Sequence, residues 1–210
     1  MERAQLSRIL LGASILYVVA FYFTGAAIKP GYSQLSNFVS EYNATGTPWA
    51  GTLTYSGYVA TAALLSAFMV AAAPIAQVSG ASRVGFWLLW SLPFSFLLGA
   101  IAPCDPGCPL EGSTSQNLHN AMAVVAYFGM GAGVALVSLA AGFRRFKLRR
   151  AFLFLTGIAF PVLFLTMVEP DVAPWRGLIQ RLLDVALAAS LVLMSVTVFR
   201  TGRRAPQGVA

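Results

Sequence analysis

Both cysteines and the chain's one histidine fall between residues 103 and 120, in the polar segment PCDPGCPLEGSTSQNLHN. Cys104 and Cys108 flank an Asp-Pro-Gly turn, and a turn of this kind can bring two Cα atoms within disulfide range. We therefore predict a structural disulfide. A redox-active dithiol, a metal site that adds His119, and free thiols are the alternatives. The usual second ligand pair of a zinc site is missing, so we predict no metal and no cofactor.

His119 shares a helix face with Gln116 and Asn120, because the three residues are spaced i, i+3 and i+4. A polar face beside lipid must point into a helix bundle or toward water. Histidine is also the usual general acid or base near neutral pH. The competing interpretation of His119 is a side chain that hydrogen-bonds a loop carbonyl and fixes the hairpin.

Two other segments carry charged groups that could join this face. Glu41 lies in a polar segment between the first two apolar runs, and Arg181 and Asp184 lie near the start of the last one. Arg181 and Asp184 are three residues apart and can pair on one helix face. Asp184 would lie roughly 10 Å below the helix start at 1.5 Å per residue. A carboxylate at that depth indicates either a functional site or a buried ion pair.

The rest of the sequence predicts a membrane protein. Of its 210 residues, 58% are hydrophobic and 10% are charged, whereas soluble domains carry about 25% charged residues. Six apolar runs have the length that a bilayer-spanning helix needs, and they lack the alternation of a membrane β-barrel. We predict an all-α, polytopic six-helix bundle that forms a single integral membrane domain over residues 1–210. The expected spans are about 6–28, 52–74, 84–102, 117–143, 151–168 and 178–199.

The basic residues predict the orientation of these spans. Eleven of the fourteen, including Arg203 and Arg204 in the tail, fall on the side that holds both termini, and three fall on the other side. The positive-inside rule then places both termini in the cytoplasm. The net charge of +7 does not indicate nucleic-acid binding, because the basic clusters lie at the ends of apolar runs; they would face anionic lipid.

The segment between the first two spans is polar but poor in charge. Leu35, Phe38 and Val39 recur there at helical spacing. This pattern predicts a short helix that lies along the membrane interface.

Three blocks of the sequence resemble domain-of-unknown-function family 998, a group of bacterial and archaeal membrane proteins. They are residues 31–48 (GYSQLSNFVSEYNATGTP), residues 103–120 and residues 177–182 (GLIQRL). The resemblance covers nearly the whole chain and implies six spans, but it brings no established activity. Family members have Ile-Ser-Glu-Leu-Gly where this chain has Val-Ser-Glu-Tyr-Asn at residues 39–43. A shorter likeness, Ser-Glu with a later Pro and a histidine heading the fourth helix, is to autophagy-modulator and GPI-anchor-remodelling membrane proteins, which act on or beside lipids.

The leading hypothesis is a multi-pass protein of the bacterial plasma membrane with an outward-facing pocket for a lipid headgroup or small amphiphile. Arg181 would bind an anionic group in bidentate fashion, and His119 and Glu41 would supply hydrogen bonds or proton transfer. The predicted ligand-binding residues are Glu41, Gln116, His119, Asn120, Arg181 and Asp184.

Three other functions stay open, and transport is the last of them. The first is a lipid hydrolase or headgroup transferase with His119 as the base and Glu41 as the second catalytic candidate. The second is a non-catalytic subunit of a membrane complex, and the chain could also form a homo-oligomer. The expected partners are membrane lipids.

Overall fold

The computed structural model describes residues 2–200. Six of its helices are long and apolar enough to cross a membrane, which confirms the all-α, multi-pass prediction. They are α1 (Arg3–Ile28), α2 (Ala50–Ile75), α3 (Ala81–Ile101), α4 (Thr114–Val137), α5 (Lys147–Met167) and α6 (Arg176–Thr197). Short 3-10 turns at Val39–Asn43, Ala141–Phe143 and Pro170–Val172 lie in the connections.

Two of the six helices are internally irregular. A π-helical segment, Thr54–Val59, lies inside α2. α3 is divided by a turn into Ala81–Leu88 and Ser91–Ile101. Pro93 enters the second half in its first turn, where its missing N–H costs least. α5 continues as a helix through Pro161.

α4 packs between α3 and α5, and glycines let these neighbours approach it closely. A Cβ added at Gly157 of α5 would lie 2.6 Å from the carbonyl oxygen of Gly131 and 2.6 Å from the amide nitrogen of Ala135. On the other side, a Cβ at Gly85 of α3 would lie 2.8 Å from the carbonyl oxygen of Gly133. Small residues at such crossings increase van der Waals contact, which drives helix association in membranes.

The connections lie at two opposite ends of the bundle. The first loop (residues 29–49), the cysteine loop (residues 102–113) and the last loop (residues 168–175) meet at one end, which we call the loop end. At the other end, the backbone amide of Gln77 donates to the carbonyl of Val198, and the side chain of Arg149 donates to the hydroxyl of Thr197. Which end faces the cytoplasm stays a prediction, and Arg203 and Arg204, which contribute to it, lie outside the described residues.

The first loop is not the interfacial helix that its spacing predicts. Phe38 and Val39 are buried, and a short 3-10 turn over Val39–Asn43 replaces the expected helix. The bundle holds this turn through hydrogen bonds: the hydroxyl of Tyr58 donates to the carbonyl of Val39, and the side-chain amide of Asn43 donates to the carbonyl of Gly99. The loop folds inward because the bundle supplies a donor for the carbonyl of Val39, and the loop in turn supplies a donor for the carbonyl of Gly99.

Candidate functional site

A cavity of about 350 Å³ lies within the loop-end half of the bundle, which we call the central cavity. Each of the six long helices contributes to its wall, together with the first loop and the cysteine loop. Most of the wall is apolar. Its polar members include Tyr22, His119, Asn120, Gln180 and Asp184.

Asp184 of α6 is the acidic residue in the wall of the central cavity. Its Oδ2 atom accepts a hydrogen bond of 2.8 Å from the hydroxyl of Tyr22 on α1. The predicted pairing of Asp184 with Arg181 is wrong, because Arg181 turns away to the first loop. Among residues 2–200, the ion pair joins Glu41 to Arg176 instead.

Arg181 fastens α6 to the first loop. Its guanidinium donates to the carbonyl of Asn37 at 3.2 Å and to the hydroxyls of Tyr32 and Tyr42 at 2.6 and 3.4 Å. It also donates to the carbonyl of Gly177 within its own helix. Burial raises the pKa of the Tyr32 phenol well above its ordinary value, so this hydroxyl stays protonated while it accepts from Arg181.

Gln180 and Tyr127 are polar members of the cavity wall that the residue patterns did not indicate. The side-chain amide of Gln180 donates to the hydroxyl of Tyr127 at 2.9 Å, and its oxygen accepts from the backbone amide of Val39 at 2.7 Å. A glutamine inside an apolar helix was the signal that could have found this contact, since such a group must have a partner.

His119 lies at the head of α4 and lines the central cavity. Its Nδ1 atom is 2.8 Å from the carbonyl oxygen of Ala102. Because a carbonyl only accepts, Nδ1 carries the proton and donates, and the neutral ring keeps its lone pair on Nε2. The contact with a loop carbonyl matches the structural interpretation of His119, and the second nitrogen is left for other chemistry.

The two sulfurs of Cys104 and Cys108 form a disulfide-distance pair, and His119 lies beside them. One ligand atom from each of these three residues falls within 4.8 Å of the others. Metal binding by cysteine requires thiolates, which a disulfide does not supply. The donor set therefore does not fit a metal in this state.

Gln116 and Asn120 hold the cysteine loop. Gln116 is 0% exposed; its oxygen accepts from the amide of Asp105 at 2.7 Å, and its nitrogen donates to the carbonyl of Pro109 and to the Oδ1 atom of Asn120. Asn120 donates in turn to the carbonyls of Pro109 and Leu110. The side-chain amide of Gln116 is thus bonded to the cysteine loop and to Asn120, whereas Asn120 itself also lines the cavity.

Asp105 closes the cysteine loop onto the start of α4. Its carboxylate accepts from the backbone amide and the hydroxyl of Ser113, both at 2.8 Å. These two hydrogen bonds hold the pKa of Asp105 below its ordinary value of 3.8. Ser113 is also the N-cap of α4, since its hydroxyl accepts from the amide of Gln116.

Glu41 is only 7% exposed and organises the first loop. Its Oε1 atom accepts from the amide of Phe38 at 2.9 Å and from Arg176 at 3.3 Å, and Oε2 accepts from the side chain of Asn37 at 2.7 Å. Arg176 also donates to the carbonyl of Gly107 in the cysteine loop at 3.2 Å. One ion pair therefore joins the first loop, the cysteine loop and α6.

Glu41 faces a second, smaller cavity of about 140 Å³, separate from the central one, whose wall includes Lys29, Tyr32 and Gly107. Lys29 donates to the carbonyl of Tyr42 at 2.9 Å. Burial lowers the pKa of Lys29 below its ordinary value of 10.5, and the negative charge of Glu41 opposes that shift. The structure thus brings His119, Asn120 and Asp184 to the central cavity, and Glu41 to this other one.

A model of the family described as "Protein of unknown function (DUF998)" matches residues 11–197. The chain belongs to the DUF998 family. The match covers all of the central cavity's wall. Among curated proteins and among solved structures, no match was found.

In this DUF998 chain, the three sequence blocks that carry the resemblance meet at the loop end. The amide of Thr45 donates to the carbonyl of Cys104 at 2.8 Å, and the amide of Leu178 donates to the carbonyl of Leu35 at 3.0 Å. Gly177 permits the second contact, because a Cβ there would lie 2.5 Å from the carbonyl oxygen of Asn37. The three blocks therefore surround one site.

Proposed function

We propose that this DUF998 protein binds a small amphiphile or a lipid headgroup in its central cavity. The observation that carries the proposal is the cavity itself: about 350 Å³, mostly apolar, with a few polar side chains at defined positions. Ligand sites in proteins have volumes of about 300–1,000 Å³ and this mixture of apolar wall and few polar groups. On the charge asymmetry of the sequence, we further propose that the protein resides in a bacterial plasma membrane with its loop end outward.

The edge of the cavity supports a ligand with an apolar chain. Val124 of α4 and Leu165 of α5 line the cavity and are also exposed on the outer surface of the bundle. In a membrane that surface faces lipid. An amphiphile with its polar group inside the cavity would therefore have a route for its chain between α4 and α5.

The six residues predicted from the sequence divide into two roles in this proposal. Asp184, His119 and Asn120 line the cavity and would contact the ligand. Glu41, Gln116 and Arg181 would act as positioning residues, because their polar atoms are largely bonded to the loops. Both terminal nitrogens of Arg181 already donate to the first loop and to its own helix. Few of its N–H groups therefore remain for a bidentate contact with a ligand.

A matched pair of tryptophan substitutions tests the proposal. Ala123 lines the cavity, whereas Val125, two residues on, is 69% exposed on the outer surface. Native mass spectrometry of gently extracted protein should show a retained amphiphile in the unaltered chain and in V125W. Ala123→Trp should lose it while unfolding at a similar temperature. Equal retention in both variants would reject the cavity as the binding site.

Lipid hydrolysis or headgroup transfer is the second candidate, and the geometry of His119 favours it. Its Nδ1 donor to Ala102 directs the lone pair to Nε2, which is the arrangement that a general base needs. His119→Gln should then abolish conversion of an added lipid extract, followed by mass spectrometry, and retain the bound amphiphile. Retained conversion in that variant would exclude His119 as the base.

A further inference from the structure

We propose that the polar group of the ligand is a cation, so that the ligand is an ammonium-bearing amphiphile. This inference rests on the proposed function, since it assumes that the central cavity is the binding site. Its starting point is the sign of the charge in the wall. Asp184 lines the cavity, and among residues 2–200 no lysine or arginine lines it.

Asp184 has capacity for a cationic partner. A carboxylate offers about four acceptor positions, and the hydrogen bond recorded for Asp184 within residues 2–200 is the single one from Tyr22 to Oδ2. Tyr22 holds the carboxylate in place from α1 without neutralising it. Because a buried charge is costly unless it is paired, an ammonium group in the cavity would lower the free energy of the site.

The aromatic rings in the wall of the same cavity are the second observation. The central cavity is lined by Tyr22, Tyr58, Phe96, Tyr127 and Phe164 as well as by Asp184. Aromatic faces attract cations within about 6 Å, and cages of such rings bind quaternary ammonium groups. An anionic headgroup would instead meet the negative faces of these rings and a carboxylate.

The apolar remainder of the cavity accounts for the rest of the ligand. Met122, Ala126 and Met130 line it along α4, and methionine side chains adapt to irregular ligands. The charged group would lie near Asp184, and the alkyl chain would follow α4 toward the exposed edge at Val124 and Leu165.

Three probes with the same ten-carbon chain test the charge preference: decyltrimethylammonium, decyl sulfate and decanol. Each is titrated by calorimetry into the protein in nonionic detergent micelles, below the probe's own micelle concentration. The matched variants are Asp184→Asn and Asp171→Asn, because Asp171 is an exposed acid in the last loop. Micelle partitioning of a given probe is common to all three proteins and cancels between them. Affinities of different probes are compared after correction for the partitioning of each into protein-free micelles.

We expect decyltrimethylammonium to bind the unaltered chain and D171N equally, and to bind D184N about tenfold more weakly, the factor that 1.4 kcal/mol of lost interaction gives. Equal binding to D184N, or decyl sulfate or decanol binding as tightly as the cation, would overturn the charge preference and leave the cavity proposal standing. If no probe binds the unaltered chain, the proposed function itself fails.

A competition measurement keeps the test decisive if Asp184→Asn does not fold. Tetramethylammonium chloride should displace decyltrimethylammonium from the unaltered chain, whereas sodium chloride at the same concentration should not. Equal displacement by the two salts would show ordinary screening and would overturn the proposed cation site.

Discussion

The guanidinium of Arg176 lies 3.3 Å from the Oε1 atom of Glu41, although 135 residues separate them in the chain. Arg176 also donates through Nε to the carbonyl of Ser36 at 2.9 Å, and its guanidinium stacks 4.4 Å from the centre of the Phe38 ring. The pair is mostly buried, with side-chain exposures of 23% and 9%. It fixes the start of α6 against the first loop and therefore shapes one wall of the central cavity.

Replacing Glu41 by glutamine should lower the free energy of unfolding by roughly 1.5–3 kcal/mol, the range for hydrogen bonds to charged groups. The change removes the anion from Arg176 and leaves a guanidinium in a largely closed loop. Chemical unfolding in detergent measures this change in the free energy of unfolding. Glu169→Gln is the control, because Glu169 is an exposed acid of the last loop and its loss should change little. Equal effects of the two substitutions would refute a stabilising role for the pair.

The glycine contacts of α5 give a second prediction. Gly157→Ala should destabilise the bundle by about 1–3 kcal/mol, the usual cost of overpacking, since the new Cβ would lie 2.6 Å from backbone atoms of α4. Gly12→Ala in α1 is the matched change, because nothing lies within 4 Å of its Cβ position. That variant should be neutral or more stable by about 0.5–1 kcal/mol. Thermal unfolding of both variants in the same detergent distinguishes the two effects, and a Gly157→Ala protein as stable as Gly12→Ala would contradict the packing argument.

The sequence was sufficient to predict the membrane-spanning helices. It was insufficient to predict which residues the loops contact. Long apolar runs predict spans because bilayer thickness sets their length, and over residues 2–200 the structure confirms an all-helical fold with six such helices. Spacing rules also placed Gln116 and Asn120 on one face, where they share a hydrogen bond. These predictions depend on neighbours in the chain.

Helical spacing rules could not predict hydrogen-bond partners that are distant in the sequence. Arg181 has an acid three residues away, yet it donates to carbonyl and phenol oxygens of the first loop. The side-chain oxygen of Gln180 accepts a hydrogen bond from the backbone amide of Val39, 141 residues away in the chain. Phe38 and Val39 look like one face of an interfacial helix, but the loop's carbonyls find donors inside the bundle. Local periodicity carries no information on which helix supplies the donor.

Acid should loosen the cysteine loop. The pKa of Asp105 is held below 3.8 by two hydrogen bonds from Ser113, so the folded carboxylate takes up a proton less readily than the unfolded one. Its contribution to stability is therefore complete above pH 3.8 and is lost as the pH falls through the lower, folded value. Hydrogen exchange of the amide of Ser113 should accelerate over that range relative to the intrinsic rate.

Asp105→Asn is the reference for this acid effect, because an amide does not titrate there. The variant should show faster exchange at Ser113 at neutral pH and no further loss of protection in acid. Persistence of the same acid-dependent step in Asp105→Asn would assign the step to another group. Asp171→Asn, in the neighbouring last loop, should keep the behaviour of the unaltered chain.

The orientation of the bundle can be read from two single cysteines. Glu169 is exposed in the last loop, and Leu148, 88% exposed, lies among the basic residues at the start of α5. Eleven basic residues on the side of Leu148 against three on the other predict that Leu148 is cytoplasmic. In intact cells a membrane-impermeant maleimide should label Glu169→Cys, and it should label Leu148→Cys only after permeabilisation. The unaltered chain should stay unlabelled, because both of its cysteines are paired in the described structure. The reverse labelling pattern would turn the bundle over and place the loop end, with its entrance between α4 and α5, toward the cytoplasmic leaflet.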